Sequence, residues 1–209
     1  MQEPFSVLFS LLNLLGHYWG ISQLLEKIPP SYRLRKYYLS FGYAGYAAWS
    51  ASMIFHTRDF SITEKTDYFA AGANVLYGFY LAPIRVFRLD DPKGNQPWKH
   101  SVVRLWTLLC VALYAMHVAY LTLWRWDYTY NMGANIAIGA IQNILWTSFA
   151  WTSYAKSKKF WQAWPSLIVA WIMLAMSLEV LDFPPWGLMV DAHSLWHLGT
   201  VMPTIWWYK

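Results

Sequence analysis

Ser50-Ala51-Ser52-Met53-Ile54-Phe55-His56-Thr57-Arg58-Asp59 closes a long run of apolar and small residues at a charged pair. Read as a helix, it sets Ser52 and His56 four residues apart on one face. A later stretch, Asp191-Ala192-His193-Ser194-Leu195-Trp196-His197, repeats that spacing with His193 and His197. Two such helices side by side offer three imidazoles and a hydroxyl to one point. That is the ligand count of a catalytic zinc site with one position left for water.

Composition decides what kind of fold has to carry these groups. Of 209 residues, 57% are hydrophobic and only 13% charged, about half the charged share of a soluble domain. The 15 Trp and 15 Tyr are residue types that concentrate where a bilayer meets water. An integral membrane protein follows. Its basic residues fall between apolar runs rather than along one polar face, so the net charge of +5 does not indicate a nucleic-acid partner. The single cysteine, Cys110, excludes an internal disulfide. No N-x-S/T sequon marks a glycosylated side.

A membrane span takes about 20 mostly apolar residues. Seven stretches qualify, roughly 5–25, 38–56, 67–87, 102–123, 131–152, 160–179 and 191–208. The expected fold is therefore all-α: a polytopic bundle of seven transmembrane helices forming one domain over 1–209. The breaks are polar or rich in Pro and Gly, as in Pro29-Pro30-Ser31, Asp90-Asp91-Pro92-Lys93-Gly94 and Phe183-Pro184-Pro185-Trp186-Gly187. Small residues in spans two and three (Gly42, Gly45, Ala48, then Ala71, Gly72, Ala73) let helices approach closely. The first apolar run has no basic n-region or cleavage site and reads as a span rather than a signal peptide. Span seven is short and carries Pro203, which leaves its boundary open.

With seven spans, 13 of the 16 basic residues fall on one side, leaving Arg58, Lys65 and Arg125 on the other. The positive-inside rule makes the richer side cytosolic, with the N-terminus luminal and the C-terminus cytosolic. Eight of the 11 acidic residues lie on the luminal side: Glu3, Asp59, Glu64, Asp67, Asp127, Glu179, Asp182 and Asp191. Ser52, His56, Asp67, His193 and His197 then share one depth near the luminal face. No single motif required that agreement.

Three neutral imidazoles around Zn²⁺ leave room for a water whose pKa drops towards 7, although three His suit other divalent metals as well. Asp67 is the candidate to take that water's proton as it attacks a carbonyl. Ser52 is the candidate to donate to the water or the developing oxyanion. The reaction class is hydrolysis of an ester or amide whose acyl chain lies in the bilayer. A lone histidine in a membrane helix is ordinarily a structural hydrogen-bonding group, and His17 and His117 read that way; His100 falls in a cytosolic loop. Cys110, in the cytosolic half of span four, is too far away to serve as nucleophile. Arg58 and Asp59 read as an interfacial ion pair, or Asp59 and Asp191 as second partners of ligand imidazoles. Trp124-Arg125-Trp126-Asp127-Tyr128 reads as an interfacial anchor. Asn131, Asn135, Gln142 and Asn143 read as polar contacts between helices.

Ser52-x-x-x-His56, Asp67 eleven residues on, and His193-x-x-x-His197 in the last span resemble the signature of a seven-helix hydrolase superfamily. It contains alkaline ceramidases and the adiponectin and progestin receptor family. The resemblance implies metal binding by His56, His193 and His197, with Ser52 and Asp67 completing the catalytic site. Closer still, Phe55-His56-Thr57-Arg58-Asp59, Thr63-Glu64-Lys65-Thr66-Asp67-Tyr68-Phe69, Asp182-Phe183-Pro184-Pro185-Trp186 and the Asp191–His197 stretch resemble the Per1-like family. Leu121-Thr122-Leu123-Trp124-Arg125-Trp126-Asp127-Tyr128-Thr129-Tyr130-Asn131-Met132 resembles its fungal branch. That likeness implies removal of the sn-2 fatty acid from the phosphatidylinositol of glycosylphosphatidylinositol (GPI)-anchored proteins, with those proteins as partners. It implies an endoplasmic reticulum or Golgi membrane as the location. The family ordinarily places a signal peptide and a cysteine-rich luminal segment before span one; this sequence opens at Met1-Gln2-Glu3-Pro4, so both are expected to be absent. Two alternatives stand beside the GPI reading: an amide hydrolase of the ceramidase kind, and a non-catalytic receptor or escort for GPI-anchored proteins.

Overall fold

A computed structural model describes residues 3–90, 96–181, 183–187 and 190–209. Asp91, Pro92, Lys93 and Gly94 of the second break, and Asp182, lie outside them. Seven α-helices make up the described chain: α1 (Pro4–Lys27), α2 (Arg35–Thr57), α3 (Ser61–Val86), α4 (Pro97–Ala119), α5 (Tyr128–Ser157), α6 (Trp164–Leu181) and α7 (Ala192–Trp207). A π turn at Tyr120–Trp124 follows α4 and a 3-10 turn at Phe160–Ala163 leads into α6. Each helix covers one of the seven apolar stretches, so the all-α reading holds.

Local chemistry explains the boundaries. α1 carries proline in its first turn, where no backbone donor is lost. The Asp127 carboxylate caps α5 by accepting from the Tyr130 amide at 2.9 Å. The Asp191 carboxylate does the same for α7, accepting from the Ser194 amide at 2.7 Å, while Ser194 Oγ accepts from the Asp191 amide at 3.1 Å. Two ends differ from the sequence expectation. α3 starts at Ser61 rather than 67, because Thr63 Oγ1 accepts from the Phe60 amide at 2.9 Å and closes the first turn early. Asp67 therefore sits inside a helix rather than at its start. α4 begins at Pro97, so His100 is helical and not in a loop.

α7 also runs straight through Pro203. Proline deprives the carbonyl four residues earlier, that of Gly199, of its helical donor. Trp171 Nε1 on α6 supplies a replacement at 2.8 Å. An unsatisfied carbonyl in apolar surroundings costs several kcal/mol, so this one indole lets the last helix continue.

The helices α1, α2, α3, α5, α6 and α7 close a ring in that order, with α7 returning to α1; α4 packs outside it against α3. This bundle buries many polar groups beside its apolar core and exposes many large apolar ones. Its buried set includes Ser6, Ser10, Asn13, Ser52, His56, Asn131, Ser194, His197 and Thr200. Leu105, Leu108, Val111, Ile144, Trp151 and Leu174 point outwards. Among the described residues, two helical stretches, Trp98–Trp124 and Phe160–Leu181, are long and apolar enough by themselves to cross a membrane. Of the others, α1, α2 and α7 bury polar side chains, whereas α3 buries an apolar face. One apolar cluster, Leu81, Ala82 and Trp146 with Phe41 and Trp207 against it, fills the end of the ring where α3 stops and α7 finishes. The opposite end, where α2 and α6 stop and α1, α3 and α7 start, is lined by polar groups.

Candidate metal centre

At that polar end α2 and α7 lie on either side of α1, and their i, i+4 pairs face inwards. His56, His193 and His197 each bring one ring nitrogen to within 4.8 Å of the other two. Their rings pack at centroid distances of 4.5–5.1 Å. His56 and His197 are buried, whereas the His193 side chain keeps 40% of its surface exposed and opens one side of the cluster.

The outer nitrogens are all engaged. His56 Nδ1 donates to Glu3 Oε2 at 2.6 Å and His193 Nδ1 to Glu179 Oε2 at 2.8 Å. His197 Nδ1 faces the Ser6 carbonyl at 3.3 Å and Ser10 Oγ at 3.0 Å. The hydrogen bond from His56 holds the Glu3 carboxyl below the ordinary carboxylate range, so it accepts as an anion. A carbonyl and two carboxylates can only accept. Each Nδ1 therefore carries a proton, and in the neutral ring Nε2 presents a lone pair.

Two of the inner nitrogens nearly touch. His56 Nε2 and His193 Nε2 are 3.3 Å apart, the separation that donors at about 2.0–2.1 Å from a tetrahedral zinc have, roughly 3.3 Å. Three unprotonated nitrogens aimed at one point repel one another unless a cation lies between them. The donor set fits a divalent metal, and these three residues can hold one.

Asp67 and Ser52 border this cluster in different ways. Asp67, half-buried on α3, lies within electrostatic range of His56 and His193. Ser52 is buried one turn before His56, with its Oγ 3.1 Å from Ser10 Oγ. All five residues singled out in the sequence thus gather at one end of the bundle.

A model of the Per1-like family matches residues 1–209. This chain belongs to the Per1-like family. It is 43% identical over 210 residues to the protein PER1 homolog of Schizosaccharomyces pombe, covering all of this chain and 61% of that one. It is 37% identical over 203 residues to the GPI-specific phospholipase A2-like PGAP3 of Xenopus tropicalis, and 34% over 201 residues to that of Homo sapiens. Each of these two alignments covers 96% of this chain, and 60% and 59% of the relative. The chain thus spans about three-fifths of the curated relatives it matches. No solved structure matches it.

In this Per1-like chain the carboxylates behind the histidines are Glu3 and Glu179. Asp191 instead caps α7, and Arg58 lies over the Phe60 ring. The sequence reading placed α1 as a span but missed its part in the site. Ser6, Ser10, Asn13 and His17 recur at spacings of four, three and four along an otherwise apolar helix, and all four are buried. That stripe was the available signal. Asn13 serves the site indirectly: its Nδ2 donates to the His197 carbonyl at 2.8 Å, and its Oδ1 accepts from Thr204 Oγ1 at 3.2 Å. The 124–128 segment divides its roles. Trp124 is 83% exposed, whereas Trp126 packs on Tyr68 and Phe69 beside Asp67. On α5, Asn135 Nδ2 donates to the Asn131 carbonyl at 2.9 Å and Asn143 Nδ2 reaches Met173 Sδ on α6 at 3.3 Å.

Proposed function

We propose that this chain is a single-domain, seven-span, metal-dependent lipid hydrolase. It removes the sn-2 acyl chain from the phosphatidylinositol of GPI-anchored proteins, in the endoplasmic reticulum or Golgi membrane. The observation that carries this reading is the meeting of three imidazole nitrogens, one from each of His56, His193 and His197, with Asp67 in electrostatic range of two of them, in a chain whose relatives include proteins named GPI-specific phospholipase A2-like. The many exposed large apolar side chains, with polar groups buried between the helices, support the seven spans, since lipid favours apolar groups outside and polar groups paired within. The excess of lysine and arginine on one side supports a luminal N-terminus and a luminal site.

His56, His193 and His197 would hold the metal, with zinc favoured by three imidazoles and an open position. When bound, it supplies a Lewis acid and lowers the pKa of water. Asp67 takes a proton as water adds to the sn-2 ester carbonyl. Ser52 donates a hydrogen bond towards the oxygen that gains charge. Collapse of the tetrahedral species breaks the acyl C–O bond, and the proton held on Asp67 passes to the departing sn-2 oxygen. The products are a free fatty acid and a lyso-anchor. The half-exposed His193 marks the side from which an ester in the bilayer would enter.

The test is mass spectrometry of GPI-anchor lipids in cells lacking this protein, re-expressing either the wild type or His193→Ala. Lyso and remodelled anchors that return only with the wild type support the reading. Remodelling restored equally by both makes the cluster structural and favours a receptor or escort. Released sphingoid bases in place of lyso-anchors point to amide hydrolysis.

A further inference from the structure

Each imidazole of the cluster has one outer residue behind it: Glu3 behind His56, Glu179 behind His193 and Ser10 behind His197. Two of the three come from α1 and its N-cap, an element that carries no metal ligand. We infer that Glu3, Glu179 and Ser10 are positioning residues: they lock the rings with Nε2 inward, and Ser10 also turns the Ser52 proton towards the reacting oxygen. This rests on the metal-hydrolase reading above and concerns residues that reading does not use.

The direction of the hydrogen bonds carries the Ser52 part. His197 Nδ1 must donate, because the Ser6 carbonyl beside it can only accept. Ser10 Oγ, 3.0 Å away, therefore accepts from the same N–H. The Ser10 proton is then free to point at Ser52 Oγ, 3.1 Å away. With the bond made in that direction, Ser52 accepts and keeps its own proton for another acceptor. The ring thus takes one lone pair of Ser10 and leaves its proton available to Ser52. Burial strengthens the arrangement: Ser10 is fully buried, Ser52 and His197 nearly so, and with no competing water each donor has one place to go.

The experiment uses the full-length protein purified in detergent, with metal content read by plasma mass spectrometry during graded chelation and the cobalt-substituted absorption spectrum recorded alongside. Glu3→Gln and Glu179→Gln keep the side-chain shape, and an amide oxygen still accepts the ring N–H but without the charge. Each is expected to weaken metal retention about 10- to 100-fold and shift the cobalt bands, and the matching Ala variant to weaken it further. Ser10→Ala is expected to lower kcat with KM unchanged, and Ser52→Ala added to it to cost little more. Gln and Ala variants that hold metal as tightly as the wild type, or Ser10→Ala and Ser52→Ala effects that simply multiply, overturn this inference alone. Wild-type protein that retains no metal overturns the hydrolase reading and this inference together.

Discussion

Two buried histidine environments share the same helices, and they differ in how the second ring nitrogen is used. At the polar end, three imidazoles have their outer nitrogens on Glu3, Glu179 and the Ser6–Ser10 pair, and their inner ones meet. Further along α1, His17 is equally buried but donates to or accepts from the Tyr208 hydroxyl at 2.8 Å. It packs edge-on against Phe41 and Tyr208. α2 passes so close that a Cβ on Gly45 would come within 2.1 Å of its ring. No second histidine and no carboxylate meets it among the described contacts. His17 is as buried as His56 and His197; the meeting of three imidazoles separates a candidate metal centre from a packing group.

The sharpest way to break this comparison is a matched pair of substitutions. His56→Phe keeps the ring shape and removes one of three donors, so metal content per chain is expected to fall to background. His17→Phe is expected to retain the full complement. A His17→Phe protein that loses its metal would put that ring in the wrong class. Next in size is Asp67→Asn. Hydrolysis of a GPI lipid is expected to drop about 10²–10⁴-fold, the usual worth of a positioned general base, with metal content unchanged. A fully active, metal-loaded variant would remove Asp67 from the proton-transfer role.

A smaller effect tests the packing side. Gly45→Leu drives a side chain into the His17 ring, and overpacking of this kind costs about 1–3 kcal/mol. Unfolding in detergent is expected to shift accordingly, while the folded fraction stays metal-loaded. Smallest is Asp191→Ala, which removes the α7 cap at about 1 kcal/mol. Asp191→Asn, which can still accept, is expected to lose much less. A collapse of metal binding in Asp191→Asn would mean that this carboxylate serves His193 and not only the helix end.

Much of the fold was legible because its information is local. Apolar runs of the required length marked seven helices, and i, i+4 spacing put Ser52 beside His56 and His193 beside His197. The charge boundaries at Arg58-Asp59 and Asp191 put both pairs at helix ends. Where the reading slipped, a nearby hydrogen bond had overruled composition: Thr63 started α3 early. Glu179 gave no signal beyond being acidic at the end of an apolar run.

By itself, then, the sequence determined the helices, the facing pairs and the family, since each depends on periodicity or on motifs within a few residues. Only the tertiary structure decided that α1 stands between α2 and α7, so that Glu3 reaches His56 across 53 residues of sequence and Ser10 reaches His197 across 187. The tautomer of each imidazole follows from those contacts. Helical periodicity fixes which side chains share a face, but which faces meet is settled by packing among helices far apart in the chain.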